Sequence, residues 1–463
     1  LAKYIFKPTA ISQLSNNYDV VIIGSGATGL VSAIQAYELG LKPVIIEKMD
    51  TLGGNTNRAS SGMNAAETSV QLKNHIVDSY EDFYNDTFIG GGKTNDPDLL
   101  KYFTTHAALS IDWLADHGIK LDSLTITGGM KTRRTHRPDS MAPIGNFLIT
   151  SFLKIIEQYK IPVFNNTKVS RLLSNDNVIQ GVELKLPDAS TKVVNTKSII
   201  LATGGFGANK ELIKKYRNDL TNYRTTNQDG ATGDGLGLAQ QAGASLVDMQ
   251  QIQVHPTVYQ ETSHTYLIGE AVRGEGAILV NQMGQRFVNE LDTRQKVTDA
   301  INNFAQGSAY LIFDSNVRKK VPAIEFYDMI GAVVHGSDLE ELADNINVDS
   351  KILADTVSKW NHSVSSKTDA LFNRSTGMNT LLNASPYYAI HIAPAVHYTM
   401  GGVKINHKAQ VLNEKDDVIK GLFAGGEVTG GLHGNNRIGG NSIAETIVFG
   451  RQAGQQAFKY LSD

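Results

Sequence analysis

The sequence predicts an α/β fold, and three observations carry that prediction. The apolar run Val20–Ile23 ends in Gly24-Ser25-Gly26-Ala27-Thr28-Gly29, a helical pattern follows through Leu30, Ile34, Tyr37 and Leu39, and a second apolar run ends at Glu47. Two further apolar runs, 198–202 and 421–424, end in glycine turns. A closing helical pattern, 441–460, follows Gly439-Gly440. A strand, a glycine turn, a helix and a parallel strand make a Rossmann-like dinucleotide unit. Gly24, Gly26 and Gly29 permit a tight turn, close approach of a pyrophosphate and close helix–strand packing. The helix N-terminus offers free N–H groups and a positive dipole end. Glu47 stands where an acceptor for ribose hydroxyls is needed, about 20 residues on.

Composition narrows the class. The chain has 463 residues, room for about three domains at ~150 residues each. Its 41% hydrophobic and 19% charged content is that of a globular protein. A net charge of -3 gives no basic field for nucleic acid or an anionic membrane. No apolar run reaches the roughly 18 residues that a spanning helix needs. There is no secretory signal pattern, and a start at Leu1 rather than Met suggests a segment removed or omitted upstream. Cysteine is absent, which excludes disulfides, Cys-ligated clusters, c-type haem attachment and thiolate catalysis within these residues. It also favours an extracytoplasmic over a cytoplasmic location. No metal site is expected.

Residues 1–17 read as a linker or a surface-packed tail. The loop Gly53-Gly54-Asn55-Thr56-Asn57-Arg58-Ala59-Ser60-Ser61-Gly62-Met63-Asn64 is small and polar, suited to laying backbone against a flat ligand. Helices are expected over 68–86 and 97–117, the second capped by Asp96 with Pro97 at its first position and ended by Gly118. The charged stretch 125–142, with Lys131, Arg133, Arg134, His136 and Arg137, reads as a solvated loop. A helix over 146–160 precedes strands within 162–186 and 192–202. Ala231-Thr232-Gly233-Asp234-Gly235 leads a helix. Thr232 superficially resembles a flavin-attachment threonine, but a glycine turn accounts for it better. From 250 to 397 the texture changes to short strands (277–281, 309–313) and helices (295–304, 338–346, 349–364), which reads as a separate lobe. The first texture resumes at 398.

Six further motifs occur in order: His255-Pro256-Thr257, Glu270-Ala271-Val272-Arg273-Gly274, Arg286-Phe287-Val288-Asn289-Glu290, Thr293-Arg294, His397-Tyr398-Thr399-Met400-Gly401-Gly402 and His433-Gly434-Asn435-Asn436-Arg437. With the three glycine turns, they resemble the FAD-dependent succinate dehydrogenase/fumarate reductase flavoproteins. Within that group they look like the flavocytochrome c-type fumarate reductases of anaerobic respiration, over residues 18–460. The resemblance implies a discontinuous FAD-binding domain (18–249 and 398–463) interrupted by an inserted α+β clamp domain (250–397). By the match, FAD contacts fall at Thr28, Glu47, Asn55, Thr56, Ser61, Gly62, Val169, Asp234, Tyr398, Glu427, Ser442 and Ile443, beside Gly24, Gly26 and Gly29. The helix from Asn441 would stabilise negative charge on the flavin pyrimidine edge. Relatives with covalent FAD carry a histidine in the loop after the second strand. None occurs here, so FAD is expected to be noncovalent.

The implied reaction is reduction of fumarate to succinate. Flavin N5 supplies a hydride and Arg294 the proton, reprotonated through Glu270 and Arg273. Arginine holds its proton in proteins, so this role requires a carbanion more basic than neutral guanidine. Arg437 is the expected bidentate carboxylate clamp. His255, His397 and Glu270 join it at the substrate, with backbone from Gly62 and Gly440. Taken singly, Arg294 would be a surface ion-pair residue and Glu270 with Arg273 an i,i+3 helix pair. One departure stands out: Gly269 occupies a position where such reductases commonly carry threonine. That allows weaker fumarate binding, a neighbouring donor taking over, or another 2-enoate such as urocanate, methacrylate or a cinnamate. A flavin electron-transfer subunit without its own substrate is the remaining reading. The electron donor is an upstream flavin domain, a redox protein or NAD(P)H.

Overall fold

The computed structural model describes residues 3–140 and 142–463. Val20–Ile23 is central to a nine-stranded sheet, paired in parallel with Pro43–Ile46 on one side and Ile199–Leu201 on the other. Val163–Phe164 and Val418–Ala424 continue the parallel run at its two sides. Every residue of Val20–Ile23 and Pro43–Ile46 is buried, as parallel strands covered on both faces require. The helices Ala27–Glu38 and Asn441–Ser462 pack together, and the Ser32 hydroxyl donates to the Gly450 carbonyl at 2.9 Å. Because Ile23, Leu201 and Ala424 stand side by side in register, the three glycine turns leave the sheet at one edge. In an open parallel sheet that edge is where ligands bind.

A second apolar core gathers residues from Tyr259 to Ile392, including Phe313 and Trp360. It is organised on a six-stranded antiparallel sheet, whose longest member, Tyr387–Thr399, pairs with Ile252–Tyr259, Ala309–Asp314 and Val333–Gly336. Ile252, Val254 and Val396 belong to the first core, whereas Tyr259 and Ile392 belong to the second. The two paired strands therefore run from one core into the other, with irregular register between His255 and Val258.

Two expectations are corrected. The helix expected over 68–86 is two helices, Ser69–Lys73 and Tyr80–Gly90. His75 adopts φ 59°, and Ser79 caps the second helix by accepting from the Asp82 N–H at 3.0 Å. Between them, Asp78 is turned inward onto Arg134, at 2.6 Å. The stretch 125–142 is not solvated throughout: Thr135–Arg137 is a strand, and Arg134, His136 and Arg137 are buried. Arg134 is neutralised by Asp78 and Asp86, carboxylates too distant in sequence for local charge patterning to reveal. Ser315–Lys320 and Ala323–Met329, two short helices of the second lobe, add to the expected elements. Among the described residues, no helix is long and apolar enough to cross a membrane.

Candidate active site

A cavity of 1030 Å³ opens at the edge where the glycine turns converge and extends under the second lobe. Of the residues singled out from sequence, Gly24, Gly26, Thr28, Glu47, Asn55, Thr56, Ser61, Val169, Asp234, Tyr398, Glu427, Ser442 and Ile443 form its wall, together with Glu270, Arg294, His397 and Arg437. Gly29, Gly62, His255, Arg273 and Gly440 stand behind it. Gly29 is a packing glycine, since a Cβ there would lie 2.0 Å from the Gly24 carbonyl oxygen. Gly62 is pressed against Thr135–Arg137, and Gly440 against Asn64.

The nucleotide-like half is prepared by local hydrogen bonding. Glu47 accepts from the Ser25 N–H at 3.1 Å, the Ser25 hydroxyl at 2.6 Å and the Met49 N–H at 2.9 Å, which fixes its carboxylate at the glycine turn. Thr56 Oγ1 accepts from the Ala27 N–H at 3.1 Å, and Asn55 accepts from the Gln228 N–H at 2.8 Å. Lys48 donates to Thr232 at 2.7 Å and to Asp234 at 3.0 Å, while the Thr232 hydroxyl donates to Asp234 at 2.8 Å. These contacts hold Asp234 below its ordinary value despite burial. The helices starting at Ala27 and Asn441 have glycine N-caps, Gly26 and Gly440, with no side-chain cap. The Ala27 N–H goes to Thr56 and the Asn441 N–H to the Ile438 carbonyl, so it is the next N–H groups, those of Thr28 and Gly29 and of Ser442 and Ile443, that are left to a ligand.

The other half is cationic. Arg437 is 2% exposed, and no carboxylate lies within 4.0 Å of it among the described residues. It stacks 4.1 Å over the Tyr398 ring and donates to Ser442 Oγ at 3.1 Å, and its Nε has no partner among the described residues. Burial, with Arg294 nearby, pushes it down to about 10. Arg294 opens the helix Arg294–Phe304, its Nε bonded to Glu270 Oε1 and its Nη1 to Gln253 Oε1 at 3.2 Å. Glu270 stays below its ordinary value because Arg294 and Arg273 outweigh its burial. Arg273 reaches the Glu290 carbonyl at 2.7 Å, but among the described residues its Nε and Nη2 have no partner, and it makes no ion pair with Glu270. His255 and His397 lie with ring centroids 5.3 Å apart, both held well below the ordinary histidine value by burial and by Arg294. His255 Nδ1 accepts from the Thr257 N–H at 3.2 Å, so the neutral ring carries its proton on Nε2, which is buried without a partner. Burial raises Glu427 to about 7. No cluster of three or more metal-ligating side chains occurs among the described residues.

Residues 19–443 match the FAD binding domain family, FAD_binding_2. The chain belongs to this family. The flavoprotein is 47% identical over 443 residues to an NADH:fumarate oxidoreductase of Klebsiella pneumoniae, covering 96% of this chain and 48% of that protein. It thus spans about half the length of that relative. It is 43% identical to a fumarate reductase (cytochrome) of Shewanella frigidimarina, covering 96% of this chain and 77% of that one. The open conformation of a flavocytochrome c3 fumarate reductase superposes with a TM-score of 0.78 at 38% identity, over 98% of this chain and 80% of that one. The chain is therefore an FAD-binding-family flavoprotein similar in sequence and fold to the flavocytochrome c-type fumarate reductases.

The residues present fit an FAD. Gly26 leaves its cavity side open, with Thr56 Oγ1 the nearest atom, 3.5 Å from a notional Cβ. The two uncapped helix ends suit a pyrophosphate and a flavin edge respectively. Several residues of the flavoprotein's site escaped sequence reasoning. Gln253 ties Arg294 to the Arg437 carbonyl, which it reaches at 2.6 Å. Its position two residues before His255, on the same strand face, was a usable signal. Thr226 contacts His397 Nδ1 at 2.6 Å, and Glu445 joins Tyr398 and His433, each at 2.7 Å. Neither had a local signature.

Proposed function

We propose that the flavoprotein reduces the C=C bond of fumarate to succinate with noncovalent FAD. The observation that carries this reading is Arg437, a buried cation without a carboxylate, facing the same cavity as the Arg294–Glu270 pair. An anionic ligand supplies the missing countercharge. Reduced FAD, when bound, supplies a hydride to one alkene carbon. Arg437 and the Nε2–H group of His397, both in the cavity wall, grip the carboxylates, the unpartnered Nε2–H of His255 joins them as the lobes close, and the charge drawn onto the carboxylates makes the alkene electrophilic. For His397 this requires the Thr226 hydroxyl to donate to Nδ1. Arg294 delivers the proton to the second carbon. Glu270, in contact with Arg294, passes a proton back to it, and Arg273 follows in the relay through a water or a side-chain shift. The lobe over 250–397 acts as a clamp that excludes water from the FAD-binding domain of 18–249 and 398–463.

The loop after the second strand, 53–64, has no histidine, which supports noncovalent attachment. The electron donor is a further flavin domain, a redox protein or NAD(P)H, and the cysteine-free composition supports an extracytoplasmic location. A second reading, reduction of another 2-enoate, draws on Gly269, which brings no side-chain donor to the wall. The deciding experiment is anaerobic: reduced viologen with FAD-loaded protein, offered fumarate, urocanate, methacrylate and cinnamate. Fumarate is expected to oxidise the dye fastest. Preference for another acid selects the second reading, and oxidation by none rejects both.

A further inference from the structure

Three segments distant in sequence meet beside Gly269, just ahead of Glu270. Ser60 and Tyr327 both line the cavity. Ser60 Oγ is buried and has no hydrogen-bond partner among the described residues. Tyr327, 4% exposed, accepts the Gly269 N–H on its phenol oxygen at 3.1 Å, and no acceptor takes its own proton among the described residues. A Cβ on Gly269 would stand 3.3 Å from Ser60 Oγ and 3.5 Å from Tyr327 Oη, so the two hydroxyls flank one point of the wall. Behind them Arg137, 2% exposed, donates to the Ser60 carbonyl at 3.0 Å and to Thr125 Oγ1 at 3.0 Å, and it has no ion pair among the described residues. Burial lowers its guanidinium to about 10, which still leaves it cationic at neutral pH. Burying a hydroxyl without a partner costs stability, and burying a cation without one costs more. Both costs are relieved by an anion that accepts from the hydroxyls and lies in the field of the guanidinium.

We propose that Ser60 Oγ and Tyr327 Oη are the specificity-determining donors for a second carboxylate, at the end of the substrate remote from Arg437, with Arg137 supplying positive potential from behind. The proposal rests on the enoate-reductase reading. It assigns to hydroxyls from two other segments the contact that a side chain at position 269 does not make. Tyr327 belongs to the second core and Ser60 follows Ala59, which packs against the first, so a dicarboxylate bridges the lobes whereas a monocarboxylate leaves the hydroxyl pair unmet. The substrate class this site selects is a trans-enedioate.

The test uses FAD-loaded parent, Ser60→Ala, Tyr327→Phe and the double variant, each checked for flavin content and far-UV circular dichroism. Titration calorimetry with succinate and with propionate measures binding without turnover, and viologen assays compare kcat/KM for fumarate and methacrylate. Each single variant is expected to weaken succinate at least ten-fold more than propionate and to lower the fumarate-to-methacrylate ratio by a similar factor. Equal loss for diacid and monoacid, or no loss for the diacid, overturns the assignment. If the parent oxidises the dye with no enoate, the functional reading fails. The succinate-to-propionate affinity ratio still decides the subsite. Should Tyr327→Phe lose flavin, Ser60→Ala, which removes a hydroxyl bonded to nothing, decides alone.

Discussion

Arg437 and Arg294 are both almost fully buried, yet only Arg294 meets a carboxylate. An uncompensated buried cation is held against its own desolvation, so removing it relieves the ligand-free protein. Arg437→Met is therefore expected to stabilise the ligand-free fold by about 1 kcal/mol or more while abolishing fumarate reduction. Urea melts and viologen assays measure the two effects, and a destabilised variant would show that Arg437 is already satisfied. Arg294→Ala is expected to lower kcat by at least about a thousand-fold with flavin absorbance retained, and retained turnover would remove it as proton donor. His136 offers a pH test. Its Nδ1–H donates to the Arg134 carbonyl at 2.6 Å, its Nε2 lies 2.8 Å from the Thr68 hydroxyl, and burial lowers it from 6.5 to about 4. Between those pH values the unfolded chain binds a proton that the native state refuses. Stability should then fall by about 1.4 kcal/mol per unit as pH drops. In urea melts from pH 7 to 4, His136→Gln should give a profile shallower by one proton; equal slopes would contradict this.

The first strand, its glycine turn and its helix separate folding from binding, because each glycine there has a different neighbour. Gly24 sits at φ 111°, and a Cβ would fall 2.1 Å from the Ala202 carbonyl oxygen. Gly29 is similarly blocked by Gly24, but Gly26 is open. Gly26→Ala is expected to fold with native circular dichroism and purify without flavin, whereas Gly24→Ala should fail to fold. A flavin-loaded Gly26→Ala protein would mean that the pyrophosphate lies elsewhere. This unit was legible in the sequence because its constraints are local: backbone sterics, a helix dipole and a carboxylate about 20 residues on. Arg134, His136 and Arg137 were not legible, because a charged run looks the same in solvent or in a core until its partners are known. For Arg134 those partners, Asp78 and Asp86, lie on a loop and on a helix within the stretch 68–86, whose apolar pattern suggests one continuous helix.

Two apolar cores joined through a pair of long antiparallel strands, with a cationic cavity between them, make ligand binding a property of the whole molecule. On the proposed reading, a dicarboxylate would neutralise charge on the first lobe and reach Tyr327 on the second. At a hundred times its Kd, a ligand that binds only the native state stabilises by about 2.7 kcal/mol. Succinate is therefore expected to raise the Tm of the FAD-loaded protein, and succinamide, which lacks charge, to leave it unchanged at equal concentration. Equal shifts from both would argue against an anion site.

The sequence by itself determined the order of the glycine turns and the nucleotide unit they open, since these follow from local backbone geometry and residue spacing, and its ordered motifs carried the resemblance to a flavoprotein family. Only the tertiary structure decided which charges are buried, that Gln253 ties Arg294 to Arg437, and that hydroxyls from residues 60 and 327 flank position 269. Those outcomes depend on where segments hundreds of residues apart come to rest, and local propensity carries no record of a neighbour supplied by packing.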